Sequence, residues 1–436
     1  MVYVIIIEKT EQIKGTINAP PSKSYTHRAV ICASLADGTS EIISPLNSAD
    51  CLSSVHGAMM LGAEIDATDK NKWVVVGNNN SPKTPNNVVD IGNSGTTLRI
   101  LTGIASQIPE GYAILTGDSS IITRPMQPLL DALNQLGIRA FSSKTDGTAP
   151  IIVEHGEIKN NVVKIRGDMS SQFITSLMMT MPFSKMDSTI ELTTPLKSAP
   201  YLDITIDVLD KFGVKIEKVK NKNKLTKFII KGNQKYKPYS YTVEGDCSSA
   251  SYFIAAGVLM NSDITINNIF KNSKQGDREI VNIVKKMGAP IIEEEDKIII
   301  KGPYKLKGID IDVKDTPDLV PTIAILGCFA EGTTTIYNGE HVRLKECDRL
   351  MACAKELTKM GAKITEKPDG LIIEGVGKLN GAEMETYHDH RLVMAFTVAG
   401  MMAEGKTIIK GEDAVKISFP NFVEAIKSIG ANITIK

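Results

Sequence analysis

A chain of 436 residues, 42% hydrophobic and 23% charged, has the make-up of a globular protein rather than a disordered or fibrous one. Its length exceeds one ordinary core and predicts about two to four domains of roughly 100 to 200 residues each. Fifty Lys plus Arg offset fifty Asp plus Glu, which excludes a bulk field directed at nucleic acid or an anionic membrane and leaves a small molecule as the expected partner.

From the N-terminus, the chain opens on an apolar run that ends at Glu8, too short for the core of a signal peptide. No later stretch is long enough to span a bilayer, so a cytoplasmic protein is expected. Cys32, Cys51, Cys247, Cys328, Cys347 and Cys353 form no CxxC pair. Neither a zinc site nor a disulfide framework is indicated, no metal or other cofactor is expected, and a reducing compartment fits.

Three features then recur in a fixed order. Polar segments leading into apolar runs come first: PSKSYTHRAVICASLA, GNSGTTLRILTGIA, GDMSSQFITSLMMTM, GDCSSASYFIAAGVLM, DTPDLVPTIAILGCFA and YHDHRLVMAFTVAGMM. Each is followed by a turn and a strand-like segment, in order GTSEIIS, YAILTG, STIEL, SDITINN, GTTTIYN and GKTIIKG. An apolar-periodic helix then ends in glycine, as in AMMLGAEI or ELTKMGAKI, with markers at Gly62, Gly137, Gly213, Gly288, Gly361 and Gly430, spaced 75, 76, 75, 73 and 69 residues apart. Glycine takes the left-handed conformation that closes a helix at no steric cost. Six βα-type units of about 70 residues follow. The apolar runs predict inner helices buried on most sides, and the glycine-ended ones outer helices. With three units per domain about a pseudo-threefold axis, the inner helices run parallel. Their N-termini, each carrying roughly half a positive charge and free N–H groups, then gather at one end suited to anions.

The polar segments carry the chemistry. PSKSYTHRA sets Lys23, Ser24 and Arg28 within about a turn and a half, two cations and a hydroxyl suited to phosphate or carboxylate, or else an ordinary solvated helix start. IGNSGTTLR offers Gly92 and Gly95 for close backbone approach to a ligand, with Arg99 one turn on; a tight turn with a cap is the structural alternative. In TRPMQPLL, Pro125 is expected to open a helix whose N-terminus presents the Arg124 fork. DMSSQF supplies the neutral donors Ser170, Ser171 and Gln172, readable also as a serine cap, while the similar EGDCSSASYF reads as structural. TPDLVPT sets Asp318 at the start of a strongly apolar helix, as a general base or a capping carboxylate. In RLKECDRL, helical i,i+3 spacing would bring Glu346 and Arg349 together on what reads alternatively as an exposed salt-bridged surface. YHDHRL supplies His388, Asp389, His390 and Arg391, an arginine anchor without metal-ligand spacing, and KISFPNF offers Lys416.

In this order, PSKSYTHRA, GNSGTTLR, TRPMQPLLDALNQLG, SSQFITSL, SAPYLDIT, EGDCSSASYF, TPDLVPT, RLKECDRL, YHDHR and KISFP resemble the 5-enolpyruvylshikimate-3-phosphate synthase family of enolpyruvyl transferases over nearly the whole chain. The resemblance implies an α/β fold, a two-domain inside-out α/β barrel of six repeated units, three per domain. The chain would cross near residues 19–22 and 242–245. One domain would span about 22–241 and a discontinuous one 1–21 plus 242–436, with the active site in the cleft between them. It implies transfer of the enolpyruvyl group of phosphoenolpyruvate to the 5-hydroxyl of shikimate 3-phosphate, through a tetrahedral intermediate, with release of phosphate, in aromatic amino acid biosynthesis.

By motif position, the resemblance assigns shikimate 3-phosphate to Lys23, Ser24, Arg28, Ser170, Ser171, Gln172, Ser198, Tyr201, Asp318, His341 and Lys345. Phosphoenolpyruvate falls to Lys23, Gly95, Arg124, Gln172, Arg349, Arg391 and Lys416, a set of cations around a phosphate and a carboxylate. Asp318 is the base toward the hydroxyl and Glu346 exchanges the proton at C3, with Lys23 and His390 assisting. Glyphosate is expected to compete with phosphoenolpyruvate, because members with Ala in place of this Gly resist it and Gly95 is retained. A monomer is expected, binding neither nucleic acid nor membrane. His341, His27 and Ile100 depart from residues common in the family. The related transferase acting on a UDP-linked aminosugar uses a loop cysteine, which is missing here because Arg124 occupies that loop. A non-catalytic paralogue would have lost charged motif residues that this chain keeps.

Overall fold

The computed structural model describes residues 4–222 and 224–436, without the side chain of Glu412. Among the described residues are twelve α-helices: α1 (Lys23–Leu35), α2 (Ala49–Met60), α3 (Gly95–Ile104), α4 (Gln127–Gln135), α5 (Ser171–Thr180), α6 (Ala199–Lys211), α7 (Cys247–Leu259), α8 (Ile280–Lys286), α9 (Val320–Phe329), α10 (Arg349–Lys359), α11 (His390–Met402) and α12 (Phe422–Ser428). The odd-numbered helices from α1 to α11, bar α9's late start, are those expected from the polar-to-apolar segments, and they are buried almost all round; from Cys247 to Val258 no residue of α7 is exposed. None of the described helices is long and apolar enough to cross a membrane.

The even-numbered helices all stop in the same way. Gly62, Gly137, Gly213, Gly288, Gly361 and Gly430 have φ between +86° and +110°. Each glycine N–H bonds to the carbonyl three residues back, and the next residue bonds five back, as with Gly361 to Thr358 and Ala362 to Leu357. This closing pair satisfies carbonyls that the helix end would leave open and turns the chain into the following strand.

Among the described residues, strands form six four-stranded sheets with one shared pattern. Val162–Ile165 shows it: this strand runs parallel to Ser188–Leu192 across α5, which pairs antiparallel with Lys224–Ile230, itself paired with Ile216–Asn221. Two sheets exchange their parallel edges. Ile13–Asn18 pairs with Ser262–Asn267 although the chain runs on from it into α1, and Ser240–Thr242 pairs with Thr39–Ile43 although it leads into α7. A third irregularity closes the C-terminal repeat, where Val4–Ile7 lies between Thr407–Lys410 and Ile433–Ile435.

The chain accordingly divides into two compact units, one of the residues up to Pro20 with Glu244–Lys436, the other Pro21–Val243. Each has three sheets and its own apolar core. In the first, α7, α9 and α11 pack on one another. In the second, α3 packs on α5, and the buried Arg28 guanidinium ties α1 to Thr205 of α6 at 2.8 Å and to Thr175 of α5 at 3.5 Å.

Two expected helix starts are displaced. Pro125 lies ahead of α4, and Pro128 is the proline in its first turn, because the intervening Met126 N–H is taken by the Gly147 carbonyl at 2.7 Å. Asp318 precedes α9, in a 3-10 turn over Pro317–Leu319, and its carboxylate accepts from arginines.

Candidate active site

In the Pro21–Val243 unit, helix N-termini collect the polar motifs. Ser94 caps α3 and Ser170 caps α5, each accepting a backbone N–H through its hydroxyl. Lys23, the first residue of α1, places its ammonium 2.8 Å from Asp50 of α2. Burial alone would push the Asp50 carboxyl up, but Lys23 and His27 hold it well below the usual carboxylate range. Arg28 also donates to the Ser24 carbonyl at 2.9 Å and the Tyr201 carbonyl at 3.2 Å, so four of its five N–H donors are taken by the protein. Burial lowers its pKa to about 10.

Gln172 is fixed at both ends of its amide, accepting from Arg99 at 2.5 Å and donating to Thr96 at 2.9 Å. Ser170 and Ser171 open α5, while Ser198, in the left-handed conformation, precedes α6. These two helix starts are held side by side by the bond from Lys197 N–H to the Gly167 carbonyl, 2.9 Å. Gly95 faces Arg124 so closely that a methyl group on it would lie 2.7 Å from Nη1.

In the other unit, the charged motifs converge. Arg349 donates from Nη1 to Asp318 at 2.7 Å, from Nη2 to Glu346 at 2.6 Å and from Nε to Asp389 at 2.7 Å. Arg391 reaches the second Asp318 oxygen at 2.8 Å, and the Lys345 ammonium lies 3.6 Å from the first. Burial would lower the Arg349 pKa, but Asp389, Glu346 and Asp318 hold it well above the ordinary value. Burial pushes the Lys345 ammonium down. His390, the first residue of α11, and His341, in the 3-10 turn Glu340–Leu344, are buried. Lys416 is exposed on the 3-10 turn Glu412–Ile417, which packs on α11, and pairs with Asp413.

The Glu346–Arg349 contact exists, but not through helical spacing, since α10 begins at Arg349 with Asp348 as its cap. Nor is it a solvated surface, because Arg349 is 1% exposed.

Three carboxylates went unassigned in the sequence reading. Asp389 caps α11 and grips Arg349; Asp50 pairs with Lys23; Asp277, ahead of α8, accepts from Ser248 of α7. Burial, then Asp318 nearby, pushes the Asp277 carboxyl up to about 7. Capping serves as a local signal for Asp389 alone; the other two depend on helices meeting in space.

Each of the two clusters, with its cations, hydroxyls and carboxylates at helix starts, suits a small anion. A family model described as EPSP synthase (3-phosphoshikimate 1-carboxyvinyltransferase) matches residues 7–426. The chain belongs to the EPSP synthase family. It is similar to the 3-phosphoshikimate 1-carboxyvinyltransferase of Methanococcus maripaludis strain C7, 71% identical over 99% of this chain and 100% of that one. Against the protein of that name from Methanocaldococcus jannaschii it is 70% identical, with both chains covered in full. Among solved structures, an EPSP synthase from Acinetobacter baumannii superposes with a TM-score of 0.85 at 27% identity, covering 100% of each chain. The two-unit α/β architecture with buried helices is the architecture of this family.

Proposed function

We propose that the chain is a 3-phosphoshikimate 1-carboxyvinyltransferase, moving the enolpyruvyl group of phosphoenolpyruvate to the 5-hydroxyl of shikimate 3-phosphate. The observation that carries this reading is the set of three cations, Arg349, Arg391 and Lys345, around Asp318 and Glu346, in a chain 70% and 71% identical to two proteins of that name over their full length.

In this reading the shikimate phosphate is met by Ser170, Ser171 and Ser198, its ring and hydroxyls by Lys23, Ser24, Arg28, Gln172, Tyr201, His341 and Lys345. Phosphoenolpyruvate is held by Lys23, Gly95, Arg124, Gln172, Arg349, Arg391 and Lys416. Asp318 takes the proton of the 5-hydroxyl as its oxygen bonds to C2, while Glu346 gives a proton to C3, making a tetrahedral intermediate. Glu346 then removes a proton from the new methyl group as the C2–O bond to phosphate breaks, so the double bond is restored and phosphate departs with the proton that Asp318 had accepted. Lys23 and His390 balance charge as it moves from the phosphate ester. The paired arginines suit this because a planar fork fits carboxylate and phosphate alike. The six cysteines, none of them in a disulfide, support a reducing cytoplasm, where we infer that the chain is a monomer.

The test is phosphate release on mixing the protein with both substrates, run beside a UDP-linked aminosugar as acceptor. Release with shikimate 3-phosphate alone is expected. Release only with the aminosugar, or with neither, overturns the reading.

A further inference from the structure

Behind Lys23 runs a buried row of polar groups that the proposed chemistry does not use. Asp50 is shared: one carboxylate oxygen lies 2.8 Å from the Lys23 ammonium and the other 3.3 Å from His27 Nε2. The far side of the imidazole continues the row. His27 Nδ1 lies 2.8 Å from Ser54 Oγ, which lies 2.6 Å from Thr97 Oγ1, which lies 2.6 Å from Ser94 Oγ. His27, Asp50, Ser54, Thr97 and Ser94 are all buried, and Ser94 is the cap of α3, next to Gly95. Three helices, α1, α2 and α3, are joined through these side chains.

The row has two consistent proton arrangements. With His27 neutral, Nε2–H faces Asp50 and Nδ1 accepts from Ser54, which accepts from Thr97, which accepts from Ser94; the Ser94 oxygen accepts the Thr97 N–H at 3.1 Å. Every hydroxyl is then satisfied. When a proton from solvent adds to Nδ1, Ser54 must stop donating to the imidazole and accept from it, and the row reverses where Ser54 then donates to Thr97 and Thr97 to Ser94. Asp50 then faces two cations instead of one, and the charge on the imidazole competes with the Lys23 ammonium for the same carboxylate. The charged groups facing His27 are Asp50 from α2 and, through it, Lys23 from α1 itself, while α3 presents the hydroxyl of Thr97.

We propose that His27 is a positioning residue for Lys23, releasing or claiming Asp50 according to its own charge, and so setting how firmly Lys23 is held for an anionic substrate. The inference rests on the reading above, in which Lys23 meets phosphoenolpyruvate. Neutral His27 leaves Asp50 to Lys23; protonated His27 draws the carboxylate away and turns the hydroxyl row toward the cap of α3.

The experiment compares kcat/KM for phosphoenolpyruvate at pH 6 and pH 8 in wild type and His27→Gln, whose amide still donates toward Asp50 but does not titrate. The pH 8 to pH 6 ratio is expected to fall by about threefold or more in the variant, because its Lys23 keeps Asp50 at both pH values. An unchanged ratio overturns the inference, whereas absence of phosphate release in wild type overturns the underlying reading instead. A second measurement covers a variant that fails to fold. The chain has six histidines, so imidazole nitrogen resonances are assignable by NMR. In Lys23→Met, with the competitor for Asp50 removed, the His27 ring-nitrogen resonances at fixed pH must move toward those of the protonated ring, since coupling between the two charges is reciprocal. Unmoved His27 resonances refute the competition.

Discussion

Asp318 offers each of its oxygens to a different arginine, so replacing it changes both the proton acceptor and the charge balance of the cluster. Asp318→Asn or Glu346→Gln is expected to lower turnover by about two to four orders of magnitude, the usual worth of a positioned acid or base. Shikimate 3-phosphate binding, followed by calorimetry, should change far less; near-normal turnover removes the residue from its role. At Gly95 the added methyl of Gly95→Ala meets the tip of a flexible arginine at 2.7 Å, so Arg124 yields and the fold does not. Thermal stability should stay within about 1 kcal/mol of wild type, as for most substitutions that only displace a side-chain end. The KM for phosphoenolpyruvate should rise, and glyphosate inhibition should weaken more; equal inhibition of both proteins sinks the argument. Asp277 titrates in the opposite sense to a paired carboxylate. Its proton is held to about pH 7 in the folded protein but is lost near 3.8 when exposed, so stability drains away as pH rises between those values and stays low above them. Asp277→Asn, which cannot ionise, should therefore gain a few °C in Tm over wild type at pH 8 and little at pH 4.5. A gain of equal size at both values excludes the buried charge as its cause. The motifs that hold Lys23, Arg349 and Arg391 stand out in the sequence by their charge and order. Asp50 and Asp277 do not, because an acidic residue near a helix start has a sufficient local explanation in the helix dipole, and only the neighbouring helix reveals its partner.

At the scale of elements, helix ends carried more information than helix starts. A glycine needing positive φ leaves a mark in the sequence at each even helix, and all six marks correspond to real ends. Starts were less legible at Pro125, since two prolines three residues apart both fit a first turn and only the Met126 bond to Gly147 decides between them. The segment before α9 misled for a related reason: Pro317 suits a helix start, yet the turn it opens is 3-10 and frees Asp318 to face the arginines. The glycine ends also yield a graded test. At Gly361 the nearest atom to an added methyl is 3.6 Å away, so Gly361→Ala should cost only the backbone strain, about 1 kcal/mol. At Gly288 the Lys305 carbonyl stands at 3.2 Å, and Gly288→Ala should cost more. Urea unfolding of the two variants checks the order; a reversed ranking would mean that these ends are not closed by the same device.

For the whole molecule, the repeat period is written along the chain, but the edge exchange between sheets is not. Ile13–Asn18 and Ser240–Thr242 are short strands whose partners lie far along the sequence, and nothing in their own residues names those partners. The ends of the chain meet: Val4 N–H bonds to the Lys436 carbonyl at 2.9 Å and Lys436 N–H to Val4 at 3.1 Å. Joining them with a short linker and opening the backbone between Val243 and Glu244 gives a circular permutant in which each compact unit is one unbroken stretch. The native contacts are unchanged, so its activity should survive, while activity recovery after dilution from urea should be faster because Val4–Ile7 then follows its partners Thr407–Lys410 and Ile433–Ile435 closely along the chain. Fluorescence of Trp73, the one tryptophan, reports the Pro21–Val243 unit and should recover at the wild-type rate. Equal activity-recovery rates in the two proteins would show that the separation does not limit folding. During synthesis the same separation orders events. Residues 21–243 leave the ribosome as a complete unit while the strands Val4–Ile7 and Ile13–Asn18 have already emerged without partners. Ile13–Asn18 must wait for Ser262–Asn267, and Val4–Ile7 for Thr407–Lys410 and Ile433–Ile435. Strands made early are thus among the last to fold, and a nascent chain stalled short of residue 407 carries an exposed apolar strand, Val4–Ile7, that chaperones would have to shield.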